Sequence, residues 1–273
     1  MVNILDAVVN LVSNQQRHVI NENTWHNRMN NVGEGLEKYI QNLFITNTEA
    51  NPFSYLWNQN NPPDIILKWG DAIEVKKIEW TRNQIALNSS FPKDYLYSDD
   101  TRITDTCIHC EDEIWWWTSK DMIYCIWTVN ESVLKRIWFV YWNCYAANKQ
   151  TYMRIFNWIS NWITQIPWIE FEETNELAKV KKVDPLWITS LRVRGMWHIE
   201  HPTKLFWNYV NNENSNFIMK VILLKEKYNS FPENSRNIIE NLNIHNFYIQ
   251  DIMIKNPNNP ARFLEAKLLS YEE

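Results

Sequence analysis

Glycine and long hydrophobic runs are what this sequence has least of, with 4 Gly in 273 residues. No apolar segment approaches the ~18 residues that a membrane-spanning helix needs, so we expect no transmembrane segment. The opening MVNILDAVVNLVSNQQRHVI has helical apolar spacing but lacks a basic start and a small-residue cleavage site. We therefore expect an amphipathic helix at this position and a cytoplasmic protein.

Cysteine is equally scarce, and 4 Cys in a chain of this length make no disulfide framework. Cys107 and Cys110 form one C-x-x-C pair, which His109, Cys125 or Cys144 could complete as a zinc site. A single pair is a weak signal, and thiols within apolar strands are buried by default. Structural zinc is therefore the lesser alternative.

Basic residues are fewer than acidic ones, which gives a formal net charge of -5. Proteins that bind nucleic acid without regard to sequence are usually basic, so a generic polyanion binder is disfavoured, although one basic cleft is not excluded. KVKKVDPLWITSLRVRGMWHIEHPTK is such a local basic segment. The 16 Trp lie mostly in apolar runs such as EIWWWT, IWFVYW and FNWISNWI, which indicates core packing.

Helical and strand-like patterns alternate along the chain. GEGLEKYIQNLF and NKQTYMRIFNWISNWITQI have helical spacing, and Pro167 ends the second of them. DMIYCIWTV and LKRIWFVYW are rich in β-branched and aromatic residues and predict a hairpin across NES. The tail is predicted to be helical around NSRNIIENLNIHNF. Together these patterns favour one α/β domain over residues 1–273, with a central mixed β-sheet flanked by helices.

PPDIILKWGDAIEVKKIEW carries three charges in two otherwise apolar strands. Glu74 and Lys76 are two residues apart and therefore share one face of a strand. Asp64 joins that face only if the turn holds an odd number of residues. A loop of residues 69–71 satisfies this condition and pairs Asp64 with Lys76, with Gly70 supplying the positive φ that such loops usually need.

Two carboxylates and an ammonium group on a partly buried face are costly unless something stabilises them. Asp64 and Glu74 offer the hard oxygen ligands that suit Mg²⁺. Lys76 could then orient or deprotonate the water that attacks a phosphodiester. The plainer alternative is a surface hairpin with a Glu–Lys pair. The order Pro-Asp, short gap, Glu-x-Lys favours the catalytic interpretation.

This order resembles the PD-(D/E)xK nuclease superfamily. VGEGLEKYIQNLF, PPDIILKWGDAIEVKKIE, IALNSSFPK, WNCYAA and RVRGMWHIEHP together resemble the NgoPII-like family of type II restriction endonucleases, from about residue 25 to about residue 205. The resemblance implies a catalytic core at about 25–165 and a DNA-recognition segment at about 175–210. Trp127 and Trp142 depart from the pattern, because glycine is expected at both positions.

The same resemblance implies the reaction and its partners. It implies a restriction-endonuclease-like fold that hydrolyses double-stranded DNA with Mg²⁺ at a short palindrome, for which GGCC is the specific expectation. The products would carry 5′-phosphate and 3′-hydroxyl ends, and a cognate DNA methyltransferase would accompany the enzyme. Because two-fold DNA sites pair with two-fold proteins, a homodimer is expected.

Two further residues are assigned to the metal site. Helix geometry places Glu37 beside Phe44 at the edge of the apolar stripe, whereas Glu34 faces water. Glu37 can therefore assist the metal site from the flank, as helix carboxylates do in several nucleases of this superfamily, and a solvated helix edge is an equal alternative. Val75 can add its carbonyl oxygen to the metal ligands.

DNA contacts are expected from the basic segment. Arg192 and Arg194 alternate on a predicted strand and could both contact guanine O6 and N7 in the major groove, with Lys204 nearer phosphate. A solvated basic face is the alternative. His198 and His201 lack the spacing of a ββα-type metal site, so we expect packing or DNA-proximal roles for them. The loop after the catalytic strand offers four further hydrogen-bond donors: Asn88, Ser89, Ser90 and Lys93.

Two rival functions remain open. A repair or junction nuclease of the same superfamily would differ by cleaving without confinement to one short sequence. A non-catalytic, aromatic-rich nucleic-acid-binding protein would stack its aromatic rings on bases. Its binding would be indifferent to Mg²⁺ and to the loss of Lys76.

Overall fold

The computed structural model describes residues 2–14, 38–46, 51–58, 61–78, 84–87, 91–99, 117–130, 133–167, 169–174, 176–210 and 215–273. Its strands are β1 (Phe53–Asn58), β2 (Asn61–Leu67), β3 (Ala72–Ile78), β4 (Ile85–Ala86), β5 (Tyr95–Tyr97), β6 (Ser119–Asn130), β7 (Val133–Tyr141), β8 (Ala178–Val180), β9 (Leu191–Val193), β10 (His198–Ile199), β11 (Ile218–Leu224), β12 (Phe247–Asn256) and β13 (Asn259–Glu272). Its helices are α1 (Ile4–Ser13), α2 (residues 38–44), α3 (Trp142–Tyr145), α4 (Lys149–Ile163), α5 (Pro202–Leu205), α6 (Lys225–Ser230) and α7 (Glu233–Glu240), with a 3-10 turn at Trp207–Tyr209.

A large mixed sheet forms the centre, in the order β1-β2-β3-β6-β7-β11-β13-β12. Strands β3 and β6 are parallel, as are β7 and β11, and the other neighbours along this path are antiparallel. Every residue of β11 is buried, which matches its nearly continuous apolar sequence and its central position. The predicted α/β class, with a mixed sheet flanked by helices, is confirmed.

The helix predicted near the start of the chain is present as α1. A capping box begins it, in which the Asn3 side chain accepts from the Leu5 N–H and the Asp6 carboxylate accepts from the Asn3 N–H. The Asn10 side chain donates to the Leu43 carbonyl at 2.8 Å and so joins α1 to α2. None of the helices in the described ranges combines the length and apolar character required to cross a bilayer.

The tail matches its prediction in part. Helix α7 covers the first half of NSRNIIENLNIHNF, and the rest of that stretch is not helical. From Phe247 onward the chain forms a long β-hairpin, β12 and β13, which was not predicted. Ile252 and Ile254 are buried while Met253 between them is exposed, which is the alternation of a half-buried strand. Strand β13 completes the sheet by pairing with β11.

Tryptophan burial divides into two groups. Trp127 and Trp142, where the family pattern predicts glycine, are buried, and so is Trp138. The core-packing prediction is therefore confirmed for IWFVYW. It is wrong for FNWISNWI, because Trp158 and Trp162 on α4 are exposed.

Candidate active site

The hairpin of β2 and β3 holds the predicted catalytic charges. Ile66 pairs with Ala72, and the Leu67 N–H donates to the Asp71 carbonyl at 3.0 Å, so the loop consists of residues 68–70. The predicted loop of residues 69–71 was therefore wrong by one position, although its length of three was correct.

The register of the hairpin moves by two residues as a result. Extending the Ile65–Ile73 pair by one residue sets Asp64 opposite Glu74, and not opposite Lys76 as predicted. Because the loop still has an odd number of residues, Asp64 keeps the face that Glu74 and Lys76 share. The common face of the three charges therefore stays a prediction that the new register still allows.

Gly70 is required for a different reason from the one predicted. The positive φ in the loop belongs to Trp69, at 56°, and Gly70 has none. A Cβ atom on Gly70 would lie 3.0 Å from the Leu67 Cβ and 3.4 Å from the Val2 carbonyl oxygen. Glycine therefore permits the close approach of backbone to neighbour at this bend.

Contacts within the hairpin fix the three charged side chains. The Asp64 Oδ2 atom accepts a hydrogen bond from the Val75 N–H at 2.6 Å. The Lys76 ammonium lies 2.5 Å from the Glu74 Oε1 atom, and both side chains are mostly but not fully shielded from solvent. The structure thus brings together Asp64, Glu74, Val75 and Lys76, which were assigned to one site from the sequence.

Tyr124 on β6 stands beside Glu74 in the parallel ladder. Its buried hydroxyl accepts from the Lys93 N–H at 2.6 Å and donates to the Lys93 carbonyl at 3.0 Å. Burial raises the pKa of Tyr124 well above its usual range, and the charge of Glu74 adds to the effect. Lys93 itself is buried, and its predicted role as a hydrogen-bond donor to DNA stays a prediction.

Cys125 and Cys144 are buried, as predicted for thiols in apolar surroundings. Cys125 lies beside Val75 in the ladder, and burial raises the pKa of its thiol well above the usual range, with the Asp64 charge adding to it. Burial also raises the pKa of Cys144. The other proposed zinc ligands, Cys107, His109 and Cys110, lie outside the described residues.

The donor set of the hairpin fits a magnesium ion. Mg²⁺ keeps several waters and takes one or two carboxylates, which Asp64 and Glu74 can supply. No group of three or more His, Cys, Asp and Glu side chains arranged for a metal occurs within the described ranges. Glu37, the predicted helper, lies outside those ranges.

The basic segment pairs with the residues that follow β3, the strand that carries Glu74 and Lys76. Strand β10 pairs with β4, so that His198 lies opposite Ala86. The Leu87 N–H extends this ladder by donating to the Trp197 carbonyl at 2.8 Å. Only a few residues therefore separate β3 from its attachment to the basic segment. Asn88, Ser89 and Ser90, which follow Leu87, lie outside the described residues.

Glu176 forms ion pairs with Arg192 and Arg194, the two residues that were predicted to contact guanine. The Arg192 guanidinium donates to both Glu176 carboxylate oxygens at 2.8 Å, and the Arg194 Nε atom lies 2.7 Å from Oε1 of the same carboxylate. The two arginines therefore point the same way, as their alternation predicts. Lys204 forms an exposed ion pair with Glu200 at 2.9 Å.

His201 is a packed residue that caps α5. Its Nδ1 atom accepts from the Thr203 N–H at 3.1 Å, and the side chain is 1% exposed. Burial lowers the pKa of His201 to about 4, and the positive charge of Arg136 contributes. The ring is therefore neutral near pH 7. His198, by contrast, is exposed.

This burial predicts a pH-dependent stability. An unfolded histidine binds its proton near pH 6.5, whereas folded His201 does so only near pH 4. The unfolded state therefore binds more protons in this window, and the free energy of unfolding falls by about 3 kcal/mol as the pH decreases through it. Urea unfolding at pH 7 and pH 4.5 measures the loss.

The matched variant is His201→Asn, which keeps a capping acceptor but removes the titrating ring. It is expected to flatten the pH dependence. An unchanged slope in His201→Asn would contradict the assignment.

A buried charge network at the opposite end of β3 was not predicted. The Lys227 ammonium lies 2.7 Å from both the Asp71 Oδ1 and the Asp121 Oδ2 atoms, and the Tyr141 hydroxyl donates to Asp71 at 2.6 Å. Burial raises the pKa of Asp71. The network ties the hairpin loop to α6. Asp71 immediately precedes β3, and Asp121 lies near the start of β6. These two acidic residues were the available sequence signal, whereas nothing in the local sequence indicates that Lys227 contacts them.

The mixed sheet, the flanking helices and the carboxylate–lysine hairpin define a restriction-endonuclease-like α/β protein. The family model described as NgoPII restriction endonuclease matches residues 2–255. The chain is also 42% identical over 281 residues to the type II restriction enzyme NgoPII of Neisseria gonorrhoeae, covering 98% of this chain and 99% of that protein. No solved structure matches the chain. The chain therefore belongs to the NgoPII restriction endonuclease family and is a site-specific deoxyribonuclease.

Proposed function

We propose that this enzyme hydrolyses double-stranded DNA at a short palindrome, GGCC, through a PD-(D/E)xK active site with Mg²⁺ as cofactor. The observation that carries the proposal is the contact of the Asp64 carboxylate with the Val75 N–H at 2.6 Å, between Glu74 and Lys76, with the Lys76 ammonium 2.5 Å from the Glu74 carboxylate. The target sequence rests on the family resemblance. The enzyme is proposed to act in the cytoplasm beside a cognate DNA methyltransferase that protects host sites.

Each group of the hairpin has a stated role in this proposal. Asp64, Glu74 and the Val75 carbonyl hold the metal ion, with Glu37 assisting. When bound, Mg²⁺ stabilises the negative charge that develops on the phosphate. Lys76 orients the attacking water through its ammonium group, which the contact with Glu74 keeps in place, and the proton of the water passes to solvent. The water oxygen bonds to phosphorus as the bond to the 3′ oxygen breaks, which leaves 5′-phosphate and 3′-hydroxyl ends.

Arg192 and Arg194 are proposed to recognise guanine. An arginine guanidinium can donate two hydrogen bonds to guanine, at O6 and N7. The contacts with Glu176 position both guanidinium groups. Both arginine side chains are about half exposed, so DNA can reach them. Lys204, at the start of the next helical segment, is assigned to phosphate.

The arginine assignment predicts a loss that depends on sequence. Replacing Arg192 or Arg194 by alanine should weaken binding to a GGCC duplex by about 1–3 kcal/mol, roughly 5- to 150-fold, with little change for a scrambled duplex. Fluorescence anisotropy at fixed salt, with Ca²⁺ in place of Mg²⁺, measures both affinities. The Lys204→Ala control should weaken both duplexes alike, and equal losses in the arginine variants would rule out base contacts.

The proposed function is tested with two matched duplexes, one containing a single GGCC and the other the same bases scrambled. Mg²⁺-dependent cleavage of the first alone, with sequenced ends carrying 5′-phosphate, is the expected result. Cleavage of both duplexes would favour the repair or junction nuclease. Binding that neither cleaves nor responds to Mg²⁺ would favour the aromatic-rich binding protein.

A homodimer is part of the proposal. Cutting both strands of a palindrome requires two active sites related by the two-fold axis of the DNA, and a two-fold dimer supplies them. Each protomer would then bring one charged hairpin and one basic segment to one half-site.

A further inference from the structure

Helix α4 carries an apolar surface that the described residues of the chain cover only in part. Not one of its 15 residues is buried. The half-buried residues Tyr152, Phe156, Ser160 and Ile163 form a covered strip along one side. A second strip beside it is exposed, which we call the bare strip: Ile155, Trp158, Ile159, Trp162 and Ile166.

The bare strip has the spacing of a helix–helix contact. Its first four members recur at i, i+3, i+4 and i+7, which places them on one face of a helix. Trp158 is 63% exposed and Trp162 is 80% exposed. Large apolar side chains at such exposure, aligned over several turns, mark an interaction surface more than a solvated face.

The area of the bare strip suits the centre of a protein–protein interface. A tryptophan offers roughly 150–250 Å², so Trp158 and Trp162 at their observed exposures present on the order of 300 Å² together. The isoleucines add to this area. A stable interface buries about 800 Å² on each partner, with an apolar centre and a polar rim. Polar residues of α4 such as Asn157 and Asn161 would supply part of that rim.

The covered strip links this surface to the basic segment. The Ser160 hydroxyl donates to the Leu177 carbonyl at 2.8 Å, and the Tyr152 ring meets the Trp197 ring edge-on at 5.6 Å between centroids. Helix α4 therefore lies directly against the segment proposed to recognise DNA. A two-fold axis at the bare strip would bring the recognition segments of two protomers to one duplex.

Charge favours an antiparallel pairing of α4 with its own copy. The helix has Lys149 and Arg154 in its first half and no acidic residue, whereas Glu170 and Glu173 follow its end and are exposed. An antiparallel pair sets the basic start of each helix near the acidic stretch after the other. In this arrangement the two helix dipoles run in opposite directions, which is electrostatically favourable.

We propose that the bare strip of α4 packs antiparallel against the same strip of a second copy of this chain, with the two-fold axis near Ile159. The proposal deepens the proposed function, because it locates the dimer that cleavage of a palindrome requires. Trp158 of one protomer then contacts Trp162 of its partner. The interface is isologous, so each contact occurs twice.

Sedimentation of the DNA-free protein tests the proposal without any need for cleavage. The native chain should sediment as a dimer, and Trp162→Glu should raise the dimer dissociation constant at least roughly 100-fold, as loss of a central tryptophan does at interfaces. Trp207→Glu, at another exposed tryptophan, should leave the dimer intact. A native monomer at every concentration, or a Trp162→Glu dimer, would overturn the proposal.

Oxidative cross-linking tests the geometry independently. Ile159→Cys should form a disulfide-linked dimer, because its Cys lies near the two-fold axis. Ile155→Cys should not, because its two copies would be about 12 Å apart along the antiparallel helices. The native chain measures any background from its own cysteines. Cross-linking of Ile155→Cys in preference to Ile159→Cys would contradict the arrangement. If the dimer is found and the GGCC duplex is not cleaved, only the proposed function fails.

Discussion

Replacement of Lys76 by alanine is expected to lower the cleavage rate by roughly 10²–10⁴-fold and to leave DNA affinity nearly unchanged. The reason is that Lys76 is assigned to water activation, whereas DNA contacts are assigned to the basic segment. Its ammonium is held 2.5 Å from Glu74 within a partly buried site. Single-turnover cleavage of a GGCC duplex, together with anisotropy, separates the two effects.

Two controls sharpen this experiment. Lys255→Ala removes an exposed lysine of β12 and should cleave at the native rate. Lys76→Arg keeps a positive charge beside Glu74 but replaces the compact ammonium group with a larger planar guanidinium, which does not place a donor on the same water, so it should remain strongly impaired. Native activity in Lys76→Ala would remove the lysine from the mechanism, and a parallel loss of affinity would assign it to binding.

Asp64→Asn is expected to reduce cleavage by at least roughly 10²-fold and to raise the Mg²⁺ concentration needed for half-maximal rate. The substitution is nearly isosteric, and the amide oxygen can still accept the hydrogen bond from the Val75 N–H. What is lost is the negative charge that a magnesium ligand provides. Cleavage rates across a Mg²⁺ titration measure the effect.

Thermal unfolding of Asp64→Asn serves as the structural check, and its midpoint should stay close to the native value. The matched control is Asp99→Asn, at an exposed turn aspartate, which should cleave normally at native Mg²⁺ concentrations. If Asp64→Asn cleaves normally, the hairpin charges are a surface pair and the metal assignment is wrong.

The common face of the catalytic charges could be predicted because it depends only on parity. Strand side chains alternate, so any odd loop length gathers Asp64, Glu74 and Lys76, whichever residues form the loop. The register could not be predicted from local pattern, because the bend at Gly70 also packs against the Val2 carbonyl, which is a tertiary contact. The sequence pattern therefore predicts which groups converge, but not which pair stands opposite.

Other misses share a long-range cause. Strand β13 forms by pairing with the buried strand β11, about 45 residues earlier in the chain. The spacing of apolar residues within β13 does not indicate which strand it pairs with. Lys227 meets Asp71 across more than half of the chain for the same reason. The exposure of Trp158 and Trp162 was also invisible, since an apolar stripe looks identical whether it faces a core or a partner.

Glu176 shows what sequence patterns leave out of a recognition site. The alternation of Arg192 and Arg194 predicts that they point one way, and both meet one carboxylate. The position of Glu176, however, follows from the pairing of β8 with β9, which the local sequence does not determine. Neither Glu37 nor the loop residues Asn88, Ser89 and Ser90 lie within the described ranges, so their roles stay predictions.

The central claim is that the charged hairpin is a metal-dependent active site, and the most direct measurement is the position of a bound ion. Crystals of the Lys76→Ala variant with a GGCC duplex and Mn²⁺ in place of Mg²⁺ would give an anomalous signal for the metal. We predict that this ion contacts the Asp64 and Glu74 carboxylates and a phosphate of the duplex. An ion bound elsewhere on the complex, touching neither carboxylate, would contradict the claim.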